Sequence, residues 1–283
     1  MVKRREAIGV AAGLMAASVL PVRVARAERT GRIRQSVSRW PYSRIPLAEF
    51  ARAVKEIGLV AVDLLQPEEW PVVHDAGLVC SMGYPSNRRD FLTRGFNDPA
   101  NHELLVDEIL RTLPAAQAAG VPNIIAMFGN RAGRPDAEGA EHCIAGLSRI
   151  STAAEQAGVT VCVELLNSKV DHKDYMGDRT AFGAQVVRGV NSPRVKLLYD
   201  IYHMQIMEGD VIRTIRDNLA HIAHFHTGGV PGRHEIDDGQ ELNYRAICTA
   251  IADAGFTGYL AHEFVPSRDP LTSLREAFRI CDV

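Results

Sequence analysis

The chain has 283 residues, 46% apolar and 23% charged, with a formal net charge of −2. That length allows one large domain or two small ones, with ample core. A slightly acidic chain without a basic stripe is a poor candidate for binding nucleic acid.

The first segment differs from the rest. Lys3, Arg4 and Arg5 precede an uncharged apolar run from Ala7 to Val22, which is followed by Ala25-Arg26-Ala27. Basic start, apolar run and A-x-A site predict a secretory signal over residues 1–27. The paired arginines point to the twin-arginine type, an export address rather than an anchor. The run is too short and alanine-rich to span a bilayer comfortably, so no stable membrane anchor is expected. The expected location is periplasmic or secreted, and cytoplasmic if the signal is not used. Residues 1–27 carry five basic residues against one acid, so residues 28–283 stand at about −6. Cys80, Cys143, Cys162, Cys248 and Cys281 are scattered and form no CxxC pair. They predict buried thiols rather than a disulfide framework or a thiolate zinc site.

From residue 32 onward, short apolar runs alternate with longer amphipathic ones. Predicted strands cover 33–38, 60–65, 78–82, 123–128, 160–165, 195–200, 222–226 and 259–263. Helical patterns between them cover 47–57, 101–119, 137–157, 180–190, 211–219, 244–254 and 270–281. Asp269-Pro270 is a helix start, with a capping side chain followed by proline at the first helical position. Gly158 and Gly255 are helix stops. Strands alternating with helices imply parallel pairing through right-handed crossovers. Eight such units over about 250 residues fit a (β/α)₈ TIM barrel, of class α/β. An open doubly wound sheet has the same alternation, but no glycine-rich phosphate loop follows the first strand. With no linker after Ala27, residues 28–283 are expected to be a single TIM-barrel domain, with room for a homo-oligomer.

Four predicted strands in the second half end in a potential metal ligand: Glu164, Asp200, His226 and Glu263. Taken singly, an acid at a strand end is more often a helix cap, and a lone histidine a structural one. Taken together they are harder to dismiss. The C-terminal strand ends of a barrel converge on one mouth, and three acids there would repel without a cation. Three carboxylates and an imidazole suit Mn²⁺ or Mg²⁺, with Co²⁺ admissible and zinc less favoured. Asn167, His172, Tyr175, His203, Arg233 and His234 flank these residues in the loops and are candidate substrate contacts. Arg233 is the natural anchor for a carboxylate or an oxygen-rich substrate, because its planar fork matches one. The plain alternatives are an ion pair with Glu235 or Asp237 for Arg233, and loop packing for His172 and Tyr175.

The segments VELLN (163–167), YDIYHMQIMEGD (199–210), HIAHFHTGGVPGRHEIDDGQELNY (221–244) and GYLAHEF (258–264) resemble the xylose-isomerase-like TIM barrel superfamily. Within it, the hydroxypyruvate isomerase family is most similar, and VPGRHE is the most specific part. The resemblance implies a cation held by Glu164, Asp200, His226 and Glu263. It implies that Glu164 and Glu263 are also the catalytic acid/base pair, and that His203 and Arg233 contact substrate oxygens. The implied reaction is isomerisation of an α-hydroxycarbonyl compound through an enediolate, hydroxypyruvate to tartronate semialdehyde in the family's own case. Two features depart from that family. It typically has glutamine where this chain has His226, whereas ketose 3-epimerases and xylose isomerases have histidine. Its metabolism is normally cytoplasmic, whereas this chain carries an export signal. Ketose 3-epimerisation and metal-dependent lyase or deglycosidase chemistry on keto-sugars begin with the same proton abstraction. A non-catalytic exported sugar-binding barrel would lack one of the two glutamates, and both are present. Endonucleases of the same superfamily fold use more histidines around several zinc ions.

Overall fold

The apolar runs become strands buried along most of their length, as parallel strands covered on both faces are. A computed structural model describes residues 31–283, so the predicted signal lies outside the described residues. The strands are β1 (Arg34–Ser38), β2 (Ala61–Leu65), β3 (Val79–Gly83), β4 (Asn123–Met127), β5 (Thr160–Glu164), β6 (Val195–Asp200), β7 (Ile222–Thr227) and β8 (Tyr259–His262). Each pairs in parallel with the next, and β8 closes on β1, giving a closed (β/α)₈ barrel. The open-sheet alternative is excluded. Among the described residues, no helix is long and apolar enough to cross a membrane.

The connecting helices are α1 (Leu47–Ile57), α2 (Trp70–Asp75), α3 (His102–Ala118), α4 (Asp136–Ala157), α5 (Thr180–Val190), α6 (Ile201–Met207), α7 (Val211–Asn218), α8 (Tyr244–Asp253) and α9 (Pro270–Cys281). The predicted punctuation marks hold. The Asp269 side chain accepts from Thr272 N at 2.8 Å to start α9. Gly158 takes a left-handed conformation to end α4. All five cysteines are free and buried. Two short helices, α2 and α6, have no counterpart in the sequence pattern. Six or seven residues make too few turns for an apolar stripe to register.

One irregularity bears on the site. The register of β2 against β3 shifts on either side of Asp63, and Leu64 sits at φ 56°. A left-handed leucine costs about 1–2 kcal/mol. The bulge interrupts the usual alternation of faces. Asp63 consequently reaches into the barrel interior while its neighbour Leu64 lines the cavity at the mouth.

Candidate functional site

Register brings the four predicted ligands to one level. Asp200 on β6 pairs with His226 on β7, and β5 ends at Glu164. Glu263 directly follows β8, its backbone N donating to Thr227 O at 3.0 Å. One ligand atom from each of Glu164, Asp200, His226 and Glu263 lies within 4.8 Å of the others, and all four side chains are buried. His226 Nδ1 is the hub. It lies 2.7 Å from Glu263 Oε2, 3.4 Å from Glu164 Oε1 and 4.0 Å from Asp200 Oδ2.

The electrostatics of this cluster are those of anions crowded out of water. Burial pushes the Glu164 carboxyl up, and repulsion from Glu263 adds to it. Burial likewise raises Asp200, to about 7, against the pull of Arg233. Glu263 is also buried, yet His226 and Arg233 outweigh that burden and hold it well below the usual carboxylate range. Burial should lower His226, but Glu263, Asp63 and Glu164 together raise it well above a normal imidazole. Three buried carboxylates therefore share two cationic side chains. His226 Nδ1, though 2.7 Å from a Glu263 oxygen, makes no hydrogen bond of good geometry. An orphaned ring nitrogen facing three carboxylate oxygens is a donor set that fits a divalent cation.

Arg233 is built into the same cluster. Its Nη2 donates to Glu263 Oε2 at 2.6 Å and to Asp200 Oδ2 at 3.2 Å. The guanidinium lies 5.5 Å from the Trp40 ring centroid and 5.2 Å from that of Tyr202, so two aromatic faces hold it. Its backbone sits at φ 59°, fixed by Arg233 N to Gly229 O (2.8 Å) and Val265 N to Arg233 O (2.7 Å). Gly229 permits this turn: a Cβ there would come within 2.2 Å of Glu235 O. The plain alternative, an ion pair with Glu235 or Asp237, is not what Arg233 makes. Glu235 instead accepts from Ser267 and Ser273, and Asp237 pairs with Arg268.

The loop residues divide. His203 is fully buried and follows Asp200, whose side chain caps α6 by accepting from His203 N at 3.2 Å. Asn167 Nδ2 donates to His203 Nδ1 at 2.7 Å, which leaves the proton on Nε2, 3.6 Å from Asp200 Oδ2. The amide orientation is set because Asn167 Oδ1 accepts from Val170 N and Asp171 N. Asn167 thus orients His203 instead of meeting the cavity. His172 does line the cavity, its imidazole pushed down by burial and by Arg233. Tyr175 and His234 are placed elsewhere. The Tyr175 hydroxyl is spent on backbone, donating to Glu164 O and accepting from Phe128 N. His234 is exposed, with Nδ1 at 2.9 Å from Val265 O. Neither lines the cavity: Tyr175 ties strand backbone together and His234 holds the loop.

Two residues of the site had no signal in the sequence reading. Trp40, in the loop after β1, donates from Nε1 to Glu263 Oε1 at 2.6 Å. Asp63, in the middle of β2, accepts from His226 Nε2 at 2.8 Å. Asp63 is fully buried, but His224 and His226 more than offset that and draw it down to about 2. Above the cluster lies a cavity of about 310 Å³. Its walls are Trp40, Leu64, Tyr84, Leu92, Ile125, Met127 and Leu166, and its polar side is Glu164, His172, Arg233 and Glu263.

A closed parallel barrel with buried carboxylates and a histidine at its C-terminal mouth defines a TIM barrel with a candidate metal site. The xylose isomerase-like TIM barrel family matches residues 25–282, and the chain belongs to it. A putative hydroxypyruvate isomerase of Homo sapiens is 28% identical over 262 residues, 91% of this chain and 88% of that protein. A 2-oxo-tetronate isomerase of Cupriavidus necator is 36% identical over 120 residues, 42% of this chain and 45% of that protein. Among solved structures, an AP endonuclease of family 2 from Brucella melitensis superposes with a TM-score of 0.77 at 24% identity, covering 86% of this chain and 97% of that one. At that identity the superposition speaks for the fold alone.

Proposed function

We propose that this protein is a divalent-cation-dependent isomerase of a small α-hydroxycarbonyl substrate, of the hydroxypyruvate isomerase kind. The observation that carries the reading is the pair Glu164 and Glu263. Both lie close to His226 Nδ1, at 3.4 and 2.7 Å, and both line one small cavity. Glu164, Asp200, His226 and Glu263 would hold the cation, with Mn²⁺ or Mg²⁺ suiting the hard donor set. When bound, the cation supplies Lewis acidity, polarising a substrate carbonyl and favouring loss of the proton on the neighbouring carbon.

The side chains do the rest. One glutamate takes the proton from the hydroxyl-bearing carbon, and the electron pair moves to make an enediolate. His203, carrying its proton on Nε2, and Arg233 face the oxygens on which the negative charge develops. The other glutamate returns a proton to the former carbonyl carbon, and a proton shift between the oxygens completes the isomerisation. For hydroxypyruvate the product is tartronate semialdehyde. Apolar and aromatic walls on one side and Arg233 on the other suit a short acid with one carboxylate or polyol end. The relatives named for hydroxypyruvate and 2-oxo-tetronate support that substrate class. Return of the proton to the same carbon from the opposite face would give a ketose 3-epimerase, and the histidine at position 226 favours keeping that as the second reading. The signal predicted over residues 1–27 supports action after export.

A screen of solvent deuterium incorporation tests the proposal, using Mn²⁺-loaded protein with hydroxypyruvate, 2-oxo acids and ketoses. Exchange at the carbon next to the carbonyl is expected for at least one of them. Absence of exchange across the panel would favour a binding protein.

A further inference from the structure

We propose that Asp63 is a positioning residue that fixes the ring of His226, so that Nδ1 is the nitrogen presented to the cation. The inference rests on the metal-site reading above and extends it to β2, which supplies none of those four residues. His226 is fully buried and has two ring nitrogens in different surroundings. Nε2 points away from the mouth, to Asp63 Oδ2 at 2.8 Å, while Nδ1 faces Glu263, Glu164 and Asp200. A histidine ligand gains a fixed tautomer and orientation when its other nitrogen donates to a carboxylate. A buried carboxylate is tolerated only when its oxygens are compensated.

The compensation of Asp63 is extensive and reaches across the barrel. Ser81 Oγ on β3 donates to Asp63 Oδ1 at 2.5 Å. Ser36 Oγ on β1 lies 2.6 Å from Ser81 Oγ and completes the chain. His224 Nε2 on β7 lies 3.2 Å from Asp63 Oδ1. All of these side chains are at 0% exposure, so no solvent substitutes for a missing member. The bulge at Leu64 is what lets Asp63 reach this position while Leu64 lines the cavity. A strained, left-handed leucine beside the one carboxylate that meets His226 from behind marks the segment as shaped for the site rather than for sheet regularity.

The test compares wild type, Asp63→Asn and Ser81→Ala. Mn²⁺ affinity is measured by competition with a chelator, and Tm with and without Mn²⁺. Asparagine keeps the shape but removes the anionic acceptor, so about 10- to 100-fold weaker Mn²⁺ binding is expected. The rise in Tm on adding Mn²⁺ should shrink with it. Ser81→Ala leaves Asp63 in place and loosens it, with several-fold weaker binding expected. It carries the test if Asp63→Asn does not fold. A merely structural role would lower Tm equally with and without Mn²⁺ and leave the affinity within about twofold of wild type, and either variant behaving so overturns the inference. Wild-type protein that takes up no Mn²⁺ overturns the metal-site reading beneath it. The two failures are therefore told apart by the wild-type titration.

Discussion

Strands β5 to β8 carry Glu164, Asp200, His226 and Glu263 at or next to their C-terminal ends, whereas β1 to β4 end in Ser38, Leu65, Gly83 and Met127. Among the described residues, the first half places no candidate ligand at a strand end, and its Asp63 lies in the middle of β2. It supplies the wall residues Leu64, Tyr84, Ile125 and Met127, the indole of Trp40 on Glu263 and the carboxylate of Asp63 behind His226. A barrel brings strand ends from both halves to one mouth whatever their order in sequence. The proposed function would put proton transfer in one half and substrate shape in the other. The division is open to experiment, because changes in the second half should act on turnover and changes in the first on selection and support.

The largest effect belongs to Glu263→Gln. Glutamine can still offer an oxygen to a cation but cannot carry the proton, so kcat should fall about 10²- to 10⁴-fold, with Mn²⁺ still bound. Retained solvent-deuterium exchange in that variant would remove Glu263 from the acid/base pair. Arg233→Lys comes next. It keeps the charge but loses the fork that reaches Glu263 and Asp200 and the stacking between Trp40 and Tyr202. A lost charged hydrogen bond of about 1.5–3 kcal/mol corresponds to a roughly 10- to 100-fold drop in kcat/KM. Ile125→Ala, on the wall, should leave Mn²⁺ affinity alone and shift the kcat/KM ratio towards longer substrates by about tenfold. An equal loss for all substrates would mean that the first half does more than shape the cavity.

The smallest effect concerns the loop that carries Arg233. Glu235 is held down to about 2 because hydrogen bonds from Ser267 and Ser273 outweigh its burial. Its unfolded value is about 4.3. The folded state therefore binds fewer protons, and the contribution to stability is fully present above about pH 4.3 and is lost as pH falls towards 2. Wild type should exceed Glu235→Gln in Tm at pH 6, with the gap closing as pH falls from about 4.3 to 2. A gap that widens on acidification would contradict the assignment.

The barrel was legible because parallel strands read as apolar runs, and amphipathic helices of three or more turns show their period. The four strand-end residues were legible for the same reason, since strand-end position is visible in sequence once the fold is known. Asp63 was not, because one acid inside the run Ala61–Leu65 gives no sign of the face it takes, and a bulge decides that face. Trp40 was missed because a loop aromatic carries no periodic signal. Loop position makes Tyr175 and His234 candidate contacts, but it does not reveal their hydrogen bonds to backbone. Loop position makes Asn167 a candidate contact, and its amide donates to His203 Nδ1, a partner that sequence does not show.

The most direct measurement is the Mn²⁺ bound per chain at equilibrium, in wild type and in Asp200→Ala and His226→Ala variants. The account predicts one ion per wild-type chain and loss of that ion in both variants. No uptake by wild type, or full uptake after either substitution, would contradict it.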